Sequence, residues 1–187
     1  MKKIVLGLAF LVILGVFAAC ENPSGSSDKI TDGIITPVNP GSIAFSYQIV
    51  HTQQYIQGTW IGSFNYPVVT IISSRAELKQ YCNDYEDMYD FSRHQYSPTG
   101  FTDAIGRYSD AFFADNFLVL VLLEETSGSN RHRLERIEEN GNIVITRLVP
   151  EIGTADMAQW HIIIELGNND KLEQYKAVFF EEKLEIL

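Results

Sequence analysis

The chain has 187 residues, and its 24 acidic side chains outnumber its 14 lysines and arginines, so the formal net charge at neutral pH is −10. Such an acidic chain is a poor candidate for nucleic-acid binding, which depends on lysines and arginines that neutralise phosphates. The length fits one folded domain.

The first 19 residues have the three parts of an export signal. Met1–Lys3 forms a basic start, Ile4–Phe17 is an apolar run of 14 residues, and Ala18 and Ala19 are the small residues that a signal peptidase requires. The apolar run is shorter than the roughly 20 residues of a membrane-spanning helix. We therefore interpret 1–19 as a cleaved signal peptide in preference to a permanent anchor.

Cys20 follows these small residues directly, as the lipidated cysteine does in a bacterial lipobox. The stretch Phe17-Ala18-Ala19-Cys20 resembles that motif, although the commonest form has leucine three residues before the cysteine. We expect a diacylglyceryl group on the Cys20 sulfur and a protein anchored at the cell envelope, at the outer membrane. The alternative is an ordinary secreted protein. With Cys20 modified, Cys82 keeps the one remaining thiol, so no intramolecular disulfide can form.

Residues 20–41 are predicted to be a tether between this anchor and a single domain over 42–187. The stretch 21–41 contains three prolines and three glycines and has no sustained periodicity. A flexible chain of this length reaches about 25 Å. Loss of Lys2 and Lys3 with the signal changes the formal charge from −10 to −12, so the acyl group and not the protein surface is the expected membrane contact.

The first half of the domain is predicted to contain strands and short helices. β-branched and aromatic residues alternate in places along the first segments, as in strands. Ser74 precedes Glu77 by three residues in the pattern of a capping box, and apolar residues then recur at helical spacing. Pro98 and Gly100 interrupt any helix over 87–106. The predicted elements are strands over 42–55 and 68–72 and helices over 75–86 and 108–115.

The second half is predicted to be a four-stranded antiparallel meander. The run 116–126 is almost entirely apolar, as in a central strand, and 159–166 alternates. Asn140-Gly141 is a strong hairpin signal between 131–140 and 142–151. A further strand is expected over 176–187. The predicted fold class is α+β, with a mainly antiparallel sheet packed by one or two helices.

No catalytic residue, metal ligand or cofactor site is predicted. The sequence lacks the Gly-x-Ser-x-Gly, P-loop and dinucleotide motifs. Its four histidines, His51, His94, His132 and His161, do not have the spacing of a zinc site. The acidic stretch 82–91 lacks the glycine that a calcium-binding loop requires. A binding protein is therefore favoured over an enzyme.

Two loops carry the candidate partner-binding residues. Arg131, His132 and Arg133 follow a glycine-containing turn; they would either attract a partner's carboxylates or lie on an ordinary solvent-exposed face. Met157 and Trp160 are of types enriched at interfaces, although Trp160 fits a core position equally well. The candidates are Ser127, Gly128, Ser129, Asn130, Arg131, His132, Arg133, Met157 and Trp160.

Residues 117–166 resemble a known family. The stretch FLVLVLLEETSGSNRHRLERI, the turn at Gly141, VITRLVP and the following threonine-containing loop are similar to the C-terminal domain of the PrcB-like protease complex subunits, lipoproteins of spirochaetes. Many members have Ser-Gly-Gly where this chain has Ser-Gly-Ser at 127–129, and Pro-Tyr where it has Gln159-Trp160.

This resemblance implies a non-catalytic accessory role. Members of the family accompany a secreted subtilisin-like protease, so the implied partner is an exported protease or its processed subunits, and the implied function is assembly or stabilisation of a surface protease complex. Two alternatives remain open at this point. One is a protease inhibitor that inserts SGSNR or a neighbouring loop into an active site, and the other is an unrecognised surface hydrolase.

Overall fold

The structure, a computed structural model, describes residues 33–35, 41–54 and 65–184. Within these ranges the chain forms ten strands, three α-helices and one 3-10 turn. The elements up to residue 115 are β1 (Gly33–Ile35), β2 (Ser42–Ile43), β3 (Phe45–Gln54), β4 (Val68–Ile72), α1 (Arg75–Tyr85), β5 (Tyr89–Asp90), α2 (Phe101–Ile105) and α3 (Asp110–Asp115). The later elements are β6 (Asn116–Glu125), β7 (Arg131–Glu138), β8 (Asn142–Pro150), β9 (Ala158–Gly167), the 3-10 turn (Asn168–Asp170) and β10 (Lys176–Leu184).

The strands form two sheets. The first has the order β1-β3-β9-β6-β4, with β5 also paired to β3, and all of these pairs are antiparallel. The second has the order β10-β8-β7-β2, in which β10 runs parallel to β8 and the other pairs are antiparallel. The predicted α+β class with mainly antiparallel pairing is confirmed.

The second-half strands are divided between the two sheets and do not form the predicted meander. The hairpin β7–β8 lies in the second sheet, whereas β6 pairs with β9 in the first. The physical reason is burial: β6 and β9 are buried on both faces, which suits central strands, whereas β7 has buried apolar residues mainly on one face. The turn after β6 therefore carries the chain from one sheet to the other.

The main core lies between the two sheets. Alternate residues of β6 and β9 meet the apolar side chains of the hairpin there, and each fully buried aliphatic side chain contributes about 1.5–3 kcal/mol. The central members of this core are Phe117, Val119, Val121, Leu123, Leu134, Ile137, Ile143, Ile145, Trp160, Ile162, Ile164 and Leu166.

Short helices cover the other face of the first sheet. Leu78 and Tyr81 of α1 pack with Phe101 of α2 against Leu118 and Leu120 of β6. Helix α1 begins after the predicted cap, where the Glu77 amide donates to Ser74 Oγ at 3.1 Å. Helix α3 begins two residues later than predicted, and α2 lies in the segment predicted to be irregular.

Strand β1 lies inside the segment predicted to be tether. Its residues pair with Phe45–Tyr47 of β3, so this part of the segment belongs to the first sheet. The predicted signal peptide, Cys20 and the rest of the tether lie outside the described residues, as do Tyr55 and 185–187 at the ends of two predicted strands. None of the helices in the described ranges is long and apolar enough to cross a membrane.

Candidate functional site

The turn between β6 and β7, residues 126–130, packs against the loop between β8 and β9, residues 151–157. We call these two segments the paired loops. The Gly128 amide donates to the Asp156 carbonyl at 2.9 Å and thereby joins them. A Cβ at Gly128 would lie 2.6 Å from Asp156 Oδ2 and 2.7 Å from Cε2 of Tyr96. A larger residue at 128 would force the side chains of Asp156 and Tyr96 to move away from the turn.

Three hydroxyl groups fix the loop on the turn. Ser129 Oγ donates to Thr154 Oγ1 at 3.0 Å and accepts from the Thr154 amide at 3.0 Å. Ser127 Oγ lies 3.2 Å from the same Thr154 hydroxyl. Each such bond contributes only about 0.5–1.5 kcal/mol, but together they hold an exposed loop in one conformation.

The Asp156 carboxylate forms a hydrogen bond with an aromatic residue. The Tyr96 hydroxyl donates to Asp156 Oδ2. Hydrogen bonds with Thr154 and Tyr96 keep the pKa of the Asp156 carboxyl below its ordinary value. The loop therefore carries a charged aspartate whose position is determined by these neighbours.

Arg131 stabilises the turn through hydrogen bonds to its carbonyl groups. Its guanidinium donates to the Gly128 carbonyl at 2.6 Å and to the Asn130 carbonyl at 2.9 Å. The same group lies 5.6 Å from the ring centre of Tyr96 and 5.3 Å from that of Trp160, which is cation–π geometry. Burial lowers the pKa of Arg131, yet arginine remains charged at neutral pH.

His132 points the opposite way, into a buried polar cluster. Its Nε2 lies 2.7 Å from Glu125 Oε1, which also accepts from Arg147 Nε at 2.8 Å, while Asn130 donates to Glu125 Oε2 at 2.9 Å. Burial raises the pKa of Glu125, but the hydrogen bonds from His132, Asn130 and Arg147 outweigh it and hold the pKa below its usual value. The cluster joins the end of β6 to both strands of the hairpin.

The predicted positive spot at 131–133 is not formed. His132 is only 1% exposed, so the prediction is wrong for this residue. Arg133 is exposed but pairs with Glu135 at 2.7 Å and Glu182 at 3.1 Å. The three basic residues are directed to acceptors within the chain and do not present one surface to a partner's carboxylates.

Trp160 is a core residue and Met157 a surface residue. Trp160 is 2% exposed, and its ring meets those of His51 and His132 edge-on, with ring centres 5.4 and 5.8 Å away. Among the described atoms, Trp160 Nε1 has no hydrogen-bond partner. Met157, by contrast, is 51% exposed on the β8–β9 loop.

Ile152, which was not among the predicted candidates, is the most exposed large apolar side chain of the described part of the chain, at 81%. It lies between Pro150 and Gly153 on the same loop as Met157. Its place in the sequence offered a signal: it is an apolar residue next to a loop glycine and outside the alternating pattern of the flanking strands, which fill the core without it. The site thus consists of exposed apolar side chains, Ile152 and Met157, on a loop that is fixed by hydrogen bonds.

The buried histidine on the other face of the sheet takes no part in this site. His161 Nδ1 lies 2.6 Å from Thr52 Oγ1, and His161 Nε2 lies 2.9 Å from the Tyr81 hydroxyl. Burial lowers the pKa of His161 to about 3. Over 33–35, 41–54 and 65–184, no three histidine, cysteine, aspartate or glutamate side chains are grouped to hold a metal ion.

Comparison with known proteins gives no match: no family model, no curated protein and no solved structure is significantly similar to this chain. The site is therefore described by its own geometry, as a surface loop whose backbone is fixed by an adjacent turn and whose tip is apolar. A surface that is already ordered loses less entropy when it binds. This arrangement is suited to recognition of a macromolecular partner.

Proposed function

We propose that this protein is an exported, lipid-anchored accessory subunit that assembles or stabilises a surface protease complex and has no catalytic role of its own. The observation that carries the proposal is the β8–β9 loop, which exposes Ile152 and Met157 while the adjacent turn fixes its conformation.

The energetics of the loop favour a partner that covers it. Full burial of an isoleucine or methionine contributes about 1.5–3 kcal/mol, and Ile152 is 81% exposed in the isolated chain. The hydroxyls of Ser127, Ser129 and Thr154, which bond to one another between the paired loops, would form part of the polar rim that commonly surrounds an apolar anchor in an interface. A partner with an apolar pocket for Ile152 would gain up to this amount of binding free energy there.

The charge of the loop indicates what surrounds that pocket. The stretch 148–160 contains Glu151 and Asp156 and has no lysine or arginine. The whole chain is also strongly acidic. The complementary partner surface is therefore an apolar pocket with basic residues at its edge, and opposite charges would increase the association rate.

The choice of a protease as partner is supported by the sequence. Both paired loops lie within 117–166, the region that resembles the PrcB-like protease complex subunits. The signal over 1–19, Cys20 and the tether would place the domain at the envelope, where an exported protease passes. Because β1 belongs to the first sheet, the tether shortens to 20–32 and its reach to about 20 Å, which would leave the β8–β9 loop free to meet that partner.

Recovery of partners from detergent-solubilised membranes tests the proposal. The tagged native chain should recover an exported protease, and Ile152→Ser should reduce the recovered amount at least about tenfold, since it removes one buried anchor. Lys79→Ser, which truncates an exposed side chain on α1, is the matched control and should recover the native amount. Recovery of this chain alone, with protease activity and abundance unchanged after deletion of the protein, would contradict the proposal.

One observation also suits a protease inhibitor. Ile152 projects from a hydrogen-bonded loop between Pro150 and Gly153, and a fixed loop of this kind could insert into an active-site cleft. Titration of the purified protein into the recovered protease separates the two functions. Stoichiometric loss of turnover identifies an inhibitor, whereas an accessory subunit leaves turnover unchanged or raises it.

A further inference from the structure

Strand β10 forms one edge of the second sheet. It pairs with β8 along its whole length, from Lys176 to Leu184, and its other side pairs with no strand of the described ranges. Phe180 is 54% exposed and Leu184 is 37% exposed on this strand. A nine-residue edge with exposed apolar side chains is a template for pairing with another strand.

The two faces of β10 differ in character. Ala177 and Phe179 pack against the main core, and the guanidinium carbon of Arg147 lies 5.3 Å from the ring centre of Phe179. Because side chains alternate along a strand, Val178 and Phe180 lie on the outer face. On this outer face Lys176 is positive and Glu182, which also pairs with Arg133 of its own chain at 3.1 Å, is negative, and Leu184 ends the strand.

We propose that two copies of this chain pair antiparallel through β10, about a twofold axis at Phe179. In this register Lys176 lies opposite the partner's Glu182, and Val178 lies opposite the partner's Phe180. Symmetry repeats both pairs, so the interface has two opposite-charge pairs and two aromatic–β-branched pairs, both of which stabilise neighbouring strands. The occupant of the edge is thus a second copy, because β10 is complementary to itself.

Other registers that keep the faces aligned are less favourable. An axis at Phe180 places Lys176 opposite the partner's Leu184 and loses both charge pairs. An axis at Glu181 places two glutamates directly opposite each other, which is repulsive. The sequence of β10 therefore selects the axis at Phe179.

Pairing of this kind is also limited to a dimer. Each copy uses its β10 edge once, and the opposite edge of the second sheet is β2, which has only two residues. A twofold interface closes on itself and does not extend into a fibre. The axis at Phe179 confines the pairing to the first seven residues of the strand, and the charged Lys183 lies just beyond them.

Sedimentation equilibrium of the chain, purified from membranes in density-matched detergent, tests the dimer. The native chain should show a monomer–dimer equilibrium, and Lys176→Glu should raise the dissociation constant about tenfold, because two attractive pairs become repulsive. The double variant K176E/E182K exchanges the charges and should bind more tightly than Lys176→Glu alone, with Glu182→Lys as the control for loss of the Arg133 contact. Lys79→Glu on α1 carries the same charge change away from the edge and should have no effect.

Crosslinking tests the register. Copies with V178C mixed with tagged copies with F180C should form a disulfide on mild oxidation far more readily than V178C copies alone. The native chain controls for Cys82, which is partly buried and whose pKa is raised by burial.

Three outcomes would overturn this inference: a monomer at all concentrations, a dimer insensitive to Lys176→Glu, or equal crosslinking of V178C copies alone. If Lys176→Glu instead released the protease from a monomeric chain, the edge would belong to another partner, and self-pairing would be wrong. The loop variant Ile152→Ser should leave the dimer intact, so this inference and the proposed function can fail independently.

Discussion

His161 should make the fold sensitive to acid. Its side chain is fully buried, and both ring nitrogens already have partners, Thr52 and Tyr81. Burial lowers its pKa from 6.5 to about 3. As the pH falls below 6.5, the unfolded chain binds a proton at this histidine while the folded chain does not, so the free energy of unfolding decreases. This contribution is fully present above pH 6.5 and is lost progressively down to about pH 3.

The size of the effect follows from proton linkage. One proton bound only by the unfolded state changes the free energy of unfolding by about 1.4 kcal/mol per pH unit. Between about pH 7.5 and pH 4.5, His161 alone should therefore remove about 2.7 kcal/mol, a large part of the 5–15 kcal/mol typical of a domain. His51, whose pKa is lowered to about 4 by burial and by the charge of Arg131, acts in the same direction. Glu125, whose pKa lies below its ordinary 4.5, also lowers the free energy of unfolding on acidification, but mainly at lower pH.

Urea denaturation, followed by circular dichroism at several pH values in that range, measures the effect. Below about pH 5.5, His161→Gln should reduce the slope of unfolding free energy against pH by about 1.4 kcal/mol per unit. The slope isolates the titration, because any loss of packing in the variant lowers stability equally at each pH. His94→Gln replaces an exposed histidine and serves as the control. Equal slopes for the native chain and His161→Gln would refute the reasoning.

Substitutions at three positions test the packing of the site and of α1 by urea denaturation. Glu125→Gln should lower the free energy of unfolding by about 3 kcal/mol, because the partly buried Arg147 loses the charge of a buried carboxylate; a change within about 1 kcal/mol would contradict the buried cluster. Gly128→Ala should cost about 1–3 kcal/mol, because the new methyl meets Asp156, and it should also reduce protease recovery; native behaviour would show that the paired loops are not in close contact. Ser74→Ala should cost about 1 kcal/mol through loss of the α1 cap, and Ser74→Thr should recover most of this.

Local features of the fold could be predicted because each depends on a few neighbouring residues. Gly141 has a positive φ of +85° in the β7–β8 turn, as the Asn-Gly signal requires. Ser74 caps α1, and β4 has the predicted bounds. The partition of strands between sheets was missed, because hydrophobic periodicity shows which faces are buried and does not show which strand lies alongside. The apolar residues on both faces of β6 and β9 do indicate that these two strands are central in their sheet.

The position of the candidate site in the chain was predicted, but the exposure and contacts of its residues were not. The turn at 127–129 lies where the sequence indicated, and Met157 is at the surface. The orientation of His132 could have been inferred from alternation, since it points away from the side shared by Arg131 and Arg133 in a strand. The contact of His132 with the buried Glu125 could not be inferred, because it depends on the chain crossing from one sheet to the other. Ile152 was not predicted, because a single aliphatic residue in a loop lacks the charge or aromatic ring that marks interface residues.

The pairing of β3 with β9 has a consequence for how the chain reaches its fold. Ser46 and Glu165, which are partners in this ladder and joined by a side-chain hydrogen bond, are 119 residues apart. The centre of the first sheet therefore cannot close until almost the whole chain is available. Folds dominated by such distant contacts fold slowly, in milliseconds to seconds. A polypeptide that we propose to be exported gains from this delay, because it stays extended during translocation and completes its central sheet only once nearly all of it has crossed.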